Sequence, residues 1–324
     1  MLSDQDAFRK DYLAPQTLAQ LGRLDLRAKM IVEGIMSGTQ RSPYRGGAVE
    51  FAAHRQYVPG DDTRRLDWRV YGRTDKLYIR EHQQETNLDV VLLVDASSSM
   101  DYGTLTVSGR SRANESGVGG LRWTKYDHAT AIAAALAYLA LHQHDRVGVA
   151  VFADGVHLLL DRSGTPEHWR QVIAALSGRP IGAETDFARA AEQVLSRIRN
   201  RALFVIVSDC FDRADAIGRA LAQFRHRGHD VILLNTLDRE EMRFTLPAPA
   251  RFVGLEGEGQ LRVDPRALRQ AYLAALGKHL DTVARSAMSV GFDYHRLDTH
   301  ESVGPPLAHV LARRSALIKR GVRG

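Results

Sequence analysis

The sequence predicts an α/β fold: a doubly wound, mostly parallel sheet with one antiparallel edge strand, plus a small N-terminal strand-containing subdomain. Three observations predict it. Apolar runs of strand length recur ("LDVVLLVD", "RVGVAVFA", "ALFVIVSD", "HDVILLNTLD"), and they are continuous rather than alternating, as strands buried on both faces require. Segments with 3.6-residue apolar periodicity separate them, the pattern of parallel strands joined by covering helices. Finally, Asp154-Gly155 lies between "RVGVAVFA" and "VHLLL", a hairpin signal that makes the second of these antiparallel to the first.

Residues 1–86 differ in texture from residues 87–324, and a boundary is expected between them. In the first part Leu18, Leu21, Leu24 and Leu26 open a helix running towards Met36. Turn residues then cut the chain into short pieces, and "KLYIRE" alternates as a strand does. In the second part "LDVVLLVD" is followed by a helix with Ala129, Ile132, Ala133, Leu136, Ala137 and Ala140 on one stripe. A helix is expected near Pro166, and another near Asp186 with Phe187, Ala190, Ala191, Val194, Leu195 and Ile198 in register. "ALFVIVSD" gives a second central strand, and Ile217, Ala220, Leu221 and Phe224 mark the helix after it. "RFVGLEG" and "QLRVD" read as an edge excursion beyond "HDVILLNTLD". Helices around Leu268–Ala284, a strand "FDYHRLD" and a helix from Pro306 to Lys319 complete the pattern. Residues 102–123, rich in Gly and Ser, show no periodicity and read as a flexible loop, with a functional loop at the partner surface as the alternative.

Composition narrows the function classes. The chain has 324 residues, 44% hydrophobic and 25% charged, which are ordinary globular values. The net charge of +6 comes from arginines that alternate with Asp and Glu, without a nucleic-acid motif, so it reads as a solvated mixed surface and nucleic acid is not the expected partner. Cys210 is the single cysteine, which excludes an intrachain disulfide and points to a reducing compartment. The N-terminus lacks an apolar signal core, and the longest apolar stretch, Ala131–Leu141, falls short of the ~20 residues a bilayer needs. The expectation is a soluble, cytoplasmic protein without membrane insertion.

The stretch "DASSSM" places Asp95, Ser97 and Ser99 at alternate positions, so three side-chain oxygens can turn to one side of a tight loop. A carboxylate with hydroxyls and no neighbouring His or Cys is a hard oxygen donor set, suited to Mg²⁺ or Mn²⁺ and unsuited to zinc. Mg²⁺ takes six oxygens, so other donors have to come from neighbouring strand ends. Thr185, in "GAETDF", precedes a covering helix, and Asp209, in "VSDCFD", ends a central strand. Each has a simpler role open to it, Thr185 and Asp186 as caps of one helix, Asp209 and Asp212 as caps of the next. Three oxygen-bearing loops at one expected sheet edge favour a shared site over independent caps.

At these residues the sequence resembles the metal-ion-dependent adhesion site of von Willebrand factor A domains, over roughly Leu88 to Thr299. The resemblance implies a von Willebrand factor A, Rossmann-like fold, with Asp95, Ser97 and Ser99 as the first ligand loop, Thr185 as the second and Asp209 as the third. It implies Mg²⁺, with Mn²⁺ or Ca²⁺ as alternatives, and a sixth position left open for an acidic side chain of a partner. The preceding segment, "EFAAHRQYVPGDDTRRLDWRVYGRTDKLYIREHQQE", resembles the uncharacterised bacterial family of such domains encoded beside MoxR-type AAA+ ATPases. Arg55, Tyr57, Gly60, Asp61, Asp62, Arg64, Asp67 and Trp68 carry that resemblance, which implies a MoxR-type ATPase or its protein client as partner. Physically, Asp61, Asp62, Arg64 and Asp67 can form ion pairs that hold the subdomain in place, with Trp68 as a packing anchor; contact with a partner is the alternative.

Enzyme readings find little support. No P-loop and no Gly-x-Ser-x-Gly elbow is present, and the glycines of "SGVGGLRW" follow no strand. An aspartyl phosphatase wants a second Asp where Ser97 stands. Cys210 follows Asp209, whose charge disfavours a thiolate. His142 and His144 read as a solvated helix end, and His54, His82 and His128 as lone histidines. The rival class is a Mg²⁺-dependent hydrolase, a phosphatase or nuclease, using the same site; an RNA-binding role is the third.

Overall fold

The computed structural model describes residues 13–39, 54–57, 66, 68–80, 88–107, 121–179, 181–182, 184–246, 250–255 and 259–321. The chain opens with α1 (Pro15–Gln20) and α2 (Leu24–Thr39), where the sequence suggested one helix. The break falls at Leu21, which leaves the helical region with φ −82° and ψ 107°, just before Gly22. The Arg27 guanidinium donates to the Leu21 carbonyl at 2.7 Å and closes the gap. Next, β1 (His54–Gln56), α3 (Trp68–Thr74) and β2 (Tyr78–Arg80) follow, with β1 and β2 antiparallel and Arg55 opposite Ile79. Asp61, Asp62, Arg64 and Asp67 lie outside the described residues. Tyr57 donates its N–H to the Leu77 carbonyl, extending the β1–β2 pair. Trp68 corrects one expectation: it is 65% exposed and meets Tyr71 edge-on, so it does not anchor packing.

The α/β part runs β3 (Asp89–Asp95), β4 (Leu105–Val107), β5 (Leu121–Trp123), α4 (Lys125–His142), β6 (Arg146–Phe152), β7 (Val156–Ser163), α5 (His168–Leu176), α6 (Phe187–Arg197), β8 (Leu203–Ser208), α7 (Ala214–His226) and β9 (Asp230–Leu237). It continues with α8 (Arg239–Arg243), β10 (Ala250–Val253), β11 (Gln260–Val263), α9 (Pro265–Ser289), β12 (Asp293–Asp298) and α10 (Gly304–Gly321). Six strands form the main sheet in the order β12-β9-β8-β3-β6-β7. All neighbours are parallel except β6–β7, the antiparallel edge that Asp154-Gly155 foretold. The segments expected as an edge excursion, β10 and β11, pair only with each other in a two-stranded ribbon separate from this sheet.

Alternation along β3 shows why its sequence is apolar throughout. Val90, Leu92 and Val94 join one buried cluster, while Val91 and Leu93 join the other. The first cluster includes residues of α2, α4, α5 and α10, and the second residues of α6, α7 and α9, so the sheet is the middle of three layers. Helix α4 departs from the single stripe read from its sequence. Ala131, Ala134, Ala135 and Leu139 are also buried, because Ala28, Ile31, Val32 and Ile35 of α2 cover the side turned away from the sheet. Each such apolar side chain removed from water stabilises the fold by roughly 1.5–3 kcal/mol, less for the alanines. The N-terminal helix thus completes the core.

Two further expectations change. The ends of the segment read as a flexible loop pair as β4 and β5, with Leu105 opposite Trp123; residues 108–120 lie outside the described residues. His128, read as a lone histidine, is buried and accepts a hydrogen bond at Nδ1 from Trp123 Nε1 at 3.3 Å, which places its proton on Nε2. Burial pushes its pKa down to about 4 from 6.5. The folded value lies below the unfolded one, so this contribution to stability is complete above pH 6.5 and is lost as pH falls through about 4. The shift corresponds to about 3 kcal/mol. Urea midpoints followed from about pH 8 to about pH 4 should therefore fall less steeply for His128→Gln than for the parent protein. Parallel profiles would show that His128 does not carry the acid sensitivity.

Candidate functional site

The strand order reverses at β3. The chain moves from β3 to β6 and β7 on one side, then returns to place β8, β9 and β12 on the other. In parallel α/β sheets a crevice opens at such a point beyond the carboxyl ends of the strands. Asp95 ends β3, and Asp209 follows β8 directly, so both carboxylates arrive at this crevice. Backbone hydrogen bonds stitch the loops there. Ala96 donates to Phe152 O at 2.7 Å, Ile181 to Ala96 O at 2.5 Å, and Asp186 to Ala153 O at 2.9 Å. Phe187 N–H donates to Asp212 Oδ2 at 3.0 Å, which ties the start of α6 to the loop after β8.

Asp95 and Ser97 are fully buried, and Ser99 nearly so. Asp95 Oδ1 accepts from Ser97 N–H at 2.9 Å, and Oδ2 accepts from the Ser208 hydroxyl at 2.5 Å. The Ser97 and Ser99 hydroxyls lie 3.1 Å apart. Burial, and then the charge of Asp209, push the Asp95 carboxyl up to about 7. Thr185 is half-buried on the loop that Ile181 and Asp186 fasten to the ends of β3 and β6. The capping alternatives resolve in part. Asp186 caps α6 by accepting from Arg189 N–H, whereas α7 has Arg213 at its cap position and no side-chain cap bond, so Asp209 is not its cap.

Asp209 is fully buried, and its Oδ2 accepts from Lys125 Nζ at 2.7 Å. The same ammonium donates to Glu241 Oε1 at 2.7 Å and lies 4.7 Å from the Phe211 ring centre. Burial by itself would depress the lysine pKa, but the Asp209 and Glu241 charges outweigh it and hold Lys125 charged. Burial raises the Glu241 carboxyl against the pull of Lys125. Cys210, next to Asp209, adopts φ 57°, a left-handed conformation that costs a non-glycine residue of order 1–2 kcal/mol. Asn235 Nδ2 donating to Asp209 O at 2.7 Å and His279 Nε2 donating to Cys210 O at 2.8 Å hold that bend. Burial pushes the Cys210 thiol up to about 12, so it stays protonated at neutral pH.

Four participants escaped the sequence reading: Lys125, Ser208, Asp238 and Glu241. Lys125 had a signal, since a cation in the first turn of a helix opposes the helix dipole. Glu241 also completes a capping box with Asp238 at the start of α8. Asp238 also accepts from Thr104 N–H, from the Thr104 hydroxyl at 2.6 Å and from the Thr299 hydroxyl at 3.0 Å, joining the segment after the serine loop to the end of β12. Just before Thr104, Gly103 lets the chain pass close to β5, because a Cβ there would lie 2.1 Å from Trp123 O.

The donor chemistry fits a hard cation: two buried carboxylates beside two hydroxyls, with no imidazole or thiolate contributing. Among the described residues no group of three His, Cys, Asp or Glu could hold a metal ion. Among those residues, no helix is long and apolar enough to cross a membrane.

A family model described as "Protein of unknown function DUF58" matches residues 53–282. Uncharacterised proteins of Mycobacterium bovis and Mycobacterium tuberculosis are 29% identical over 291 residues, covering 87% of this chain and 85% of each relative. Of solved structures, the conserved hypothetical protein BatB from Bacteroides thetaiotaomicron aligns over 72% of this chain and 99% of its own, with 16% identity and a TM-score of 0.46. The SpRpn10 VWA domain aligns over 69% of this chain and 94% of its own, with 9% identity and a TM-score of 0.39.

Proposed function

This chain belongs to the DUF58 family of proteins of unknown function, and from that premise we propose that it is a non-enzymatic, metal-dependent protein-binding module. The observation that carries the reading is the pair of buried carboxylates, Asp95 and Asp209, at the strand-order reversal beside the Ser97 and Ser99 hydroxyls. Asp95, Ser97, Ser99, Thr185 and Asp209 would hold Mg²⁺, or Mn²⁺ or Ca²⁺ in its place, and the cation would supply the positive charge that a partner's carboxylate needs. The chain's own part is to hold the oxygens in place. Ser97 N–H and Ser208 Oγ fix both oxygens of Asp95, and the Asp209 bend is braced by Asn235 and His279. The resemblance of the segment before β3 favours a MoxR-type AAA+ ATPase, or its protein client, as the partner. Trp68, 65% exposed at the start of α3, adds a contact surface of the aromatic kind that interfaces favour.

Equilibrium binding of Mg²⁺ or Mn²⁺ to the purified protein tests the cation, and a pull-down of the ATPase with and without EDTA tests the bridge. Retention in Mg²⁺ that EDTA removes is the expected result. Retention indifferent to EDTA would refute the bridge. Phosphatase or nuclease activity that needs Mg²⁺ and disappears in Asp95→Ala would replace this reading with a hydrolase. Salt-sensitive retention on nucleic acid would point instead to RNA binding.

A further inference from the structure

Within this candidate site one oxygen of Asp209 is already engaged by a positive charge that belongs to the chain itself. Lys125 is fully buried, and its ammonium sits 2.7 Å from Asp209 Oδ2 and 2.7 Å from Glu241 Oε1. Nothing about helix formation asks for it, because Thr124 and Asp127 already form the capping box of α4. A lysine in the first helical turn is disfavoured by the dipole, and burying its ammonium is costly unless carboxylates compensate. Two carboxylates do so here, one from the third ligand loop and one from α8.

We propose that Lys125 is a built-in competitor that weakens cation binding at this site, and that Glu241 offsets it by sharing the ammonium with Asp209. The inference rests on the cation reading given above and deepens it. A divalent ion held by Asp95 and Asp209 would have to share Asp209 with Lys125, whose charge would oppose it. Repulsion between like charges is large wherever water is excluded. Glu241 shares the ammonium and adds a negative charge of its own. Its second oxygen also accepts from Asp238 N–H at 2.8 Å, which fixes it to α8. Two carboxylates therefore share one ammonium, and the balance between Lys125 and Glu241 sets how strongly the pocket attracts an added cation. A site of this kind takes up its ion readily when a partner's carboxylate contributes further negative charge, so cation and partner would arrive together.

Two substitutions of opposite sign test this. Lys125→Met keeps the side-chain stem and removes the charge; Mg²⁺ and Mn²⁺ binding, measured by calorimetry or by Mn²⁺ electron paramagnetic resonance, should tighten by on the order of tenfold or more. The melting temperature of this variant should rise more on adding Mg²⁺ than that of the parent. Glu241→Gln keeps an acceptor for Asp238 N–H and should weaken Mn²⁺ binding by a similar factor. If Lys125→Met does not fold, Glu241→Gln decides alone. Unchanged affinity in both variants, or looser binding in Lys125→Met, overturns the competitor role while leaving the cation site standing. Absence of binding in the parent and in both variants overturns the cation site and this inference with it. Binding by Lys125→Met alone, with none by the parent, supports the inference in its strongest form.

Discussion

Asp95→Asn should lose Mg²⁺ binding by on the order of a hundredfold or more, and with it any EDTA-sensitive retention of a partner. Asp95 is the one carboxylate of the candidate set without an ammonium against it; Asp209 shares Lys125. Removing the Asp95 charge therefore removes the larger part of the attraction for a cation. Asparagine is chosen over alanine because it is nearly isosteric, and its carbonyl oxygen can still accept from Ser97 N–H. The fold should survive the exchange. A carboxyl whose ionisation is opposed by burial and by the Asp209 charge is no asset to the ion-free protein, so the amide should leave the ion-free melting temperature equal or higher. Calorimetric titration and a melting curve in EDTA give both numbers on one sample. A variant that binds Mg²⁺ as the parent does would remove Asp95 from the site, and the bridging function would go with it.

The second large effect concerns stability. Trp123 is fully buried, donates to His128 Nδ1 and meets the His128 ring edge-on at 6.3 Å. The Arg27 guanidinium lies 5.1 Å from the centre of its ring. Trp123 thus links β5, α4 and α2, and Trp123→Ala should destabilise by about 3–5 kcal/mol through lost burial and the cavity left behind. In a chain of this size the melting temperature should fall by on the order of 10 °C. Trp68→Ala, at a residue that is 65% exposed, should change stability by no more than about 0.5 kcal/mol. If the two variants melted together, the packing role assigned to Trp123 would fail.

The two tryptophans show where sequence reading reaches its limit. Trp68 stands in a motif-like stretch dense with charges and turns, and Trp123 at the end of a Gly- and Ser-rich segment without periodicity. Local pattern favoured the first as an anchor. The buried one is Trp123, because β4 pairs with β5 and α2 lies close enough for Arg27 to cover the ring. Burial depends on which segments come to rest on a residue, and neighbours in sequence do not report that. The covered outer face of α4 has the same explanation, since the helix that covers it lies in residues 1–86, far from α4 in sequence.

What the sequence determined by itself were the features written in short-range order. Continuous apolar runs gave the central strands, an Asp-Gly pair gave the antiparallel edge, and periodic stripes gave α6 and α7. The alternating oxygens of "DASSSM" and the aspartate after β8 were also legible, because in a parallel sheet the ends of neighbouring strands meet at one rim. Only the tertiary structure decided the charge balance there. Lys125 lies 84 residues from Asp209 and 116 from Glu241 in sequence, and it meets both at 2.7 Å. No period or spacing encodes a contact of that range. It exists because the fold excludes water around the ammonium, and a charge removed from water persists only where opposite charges have been brought to it.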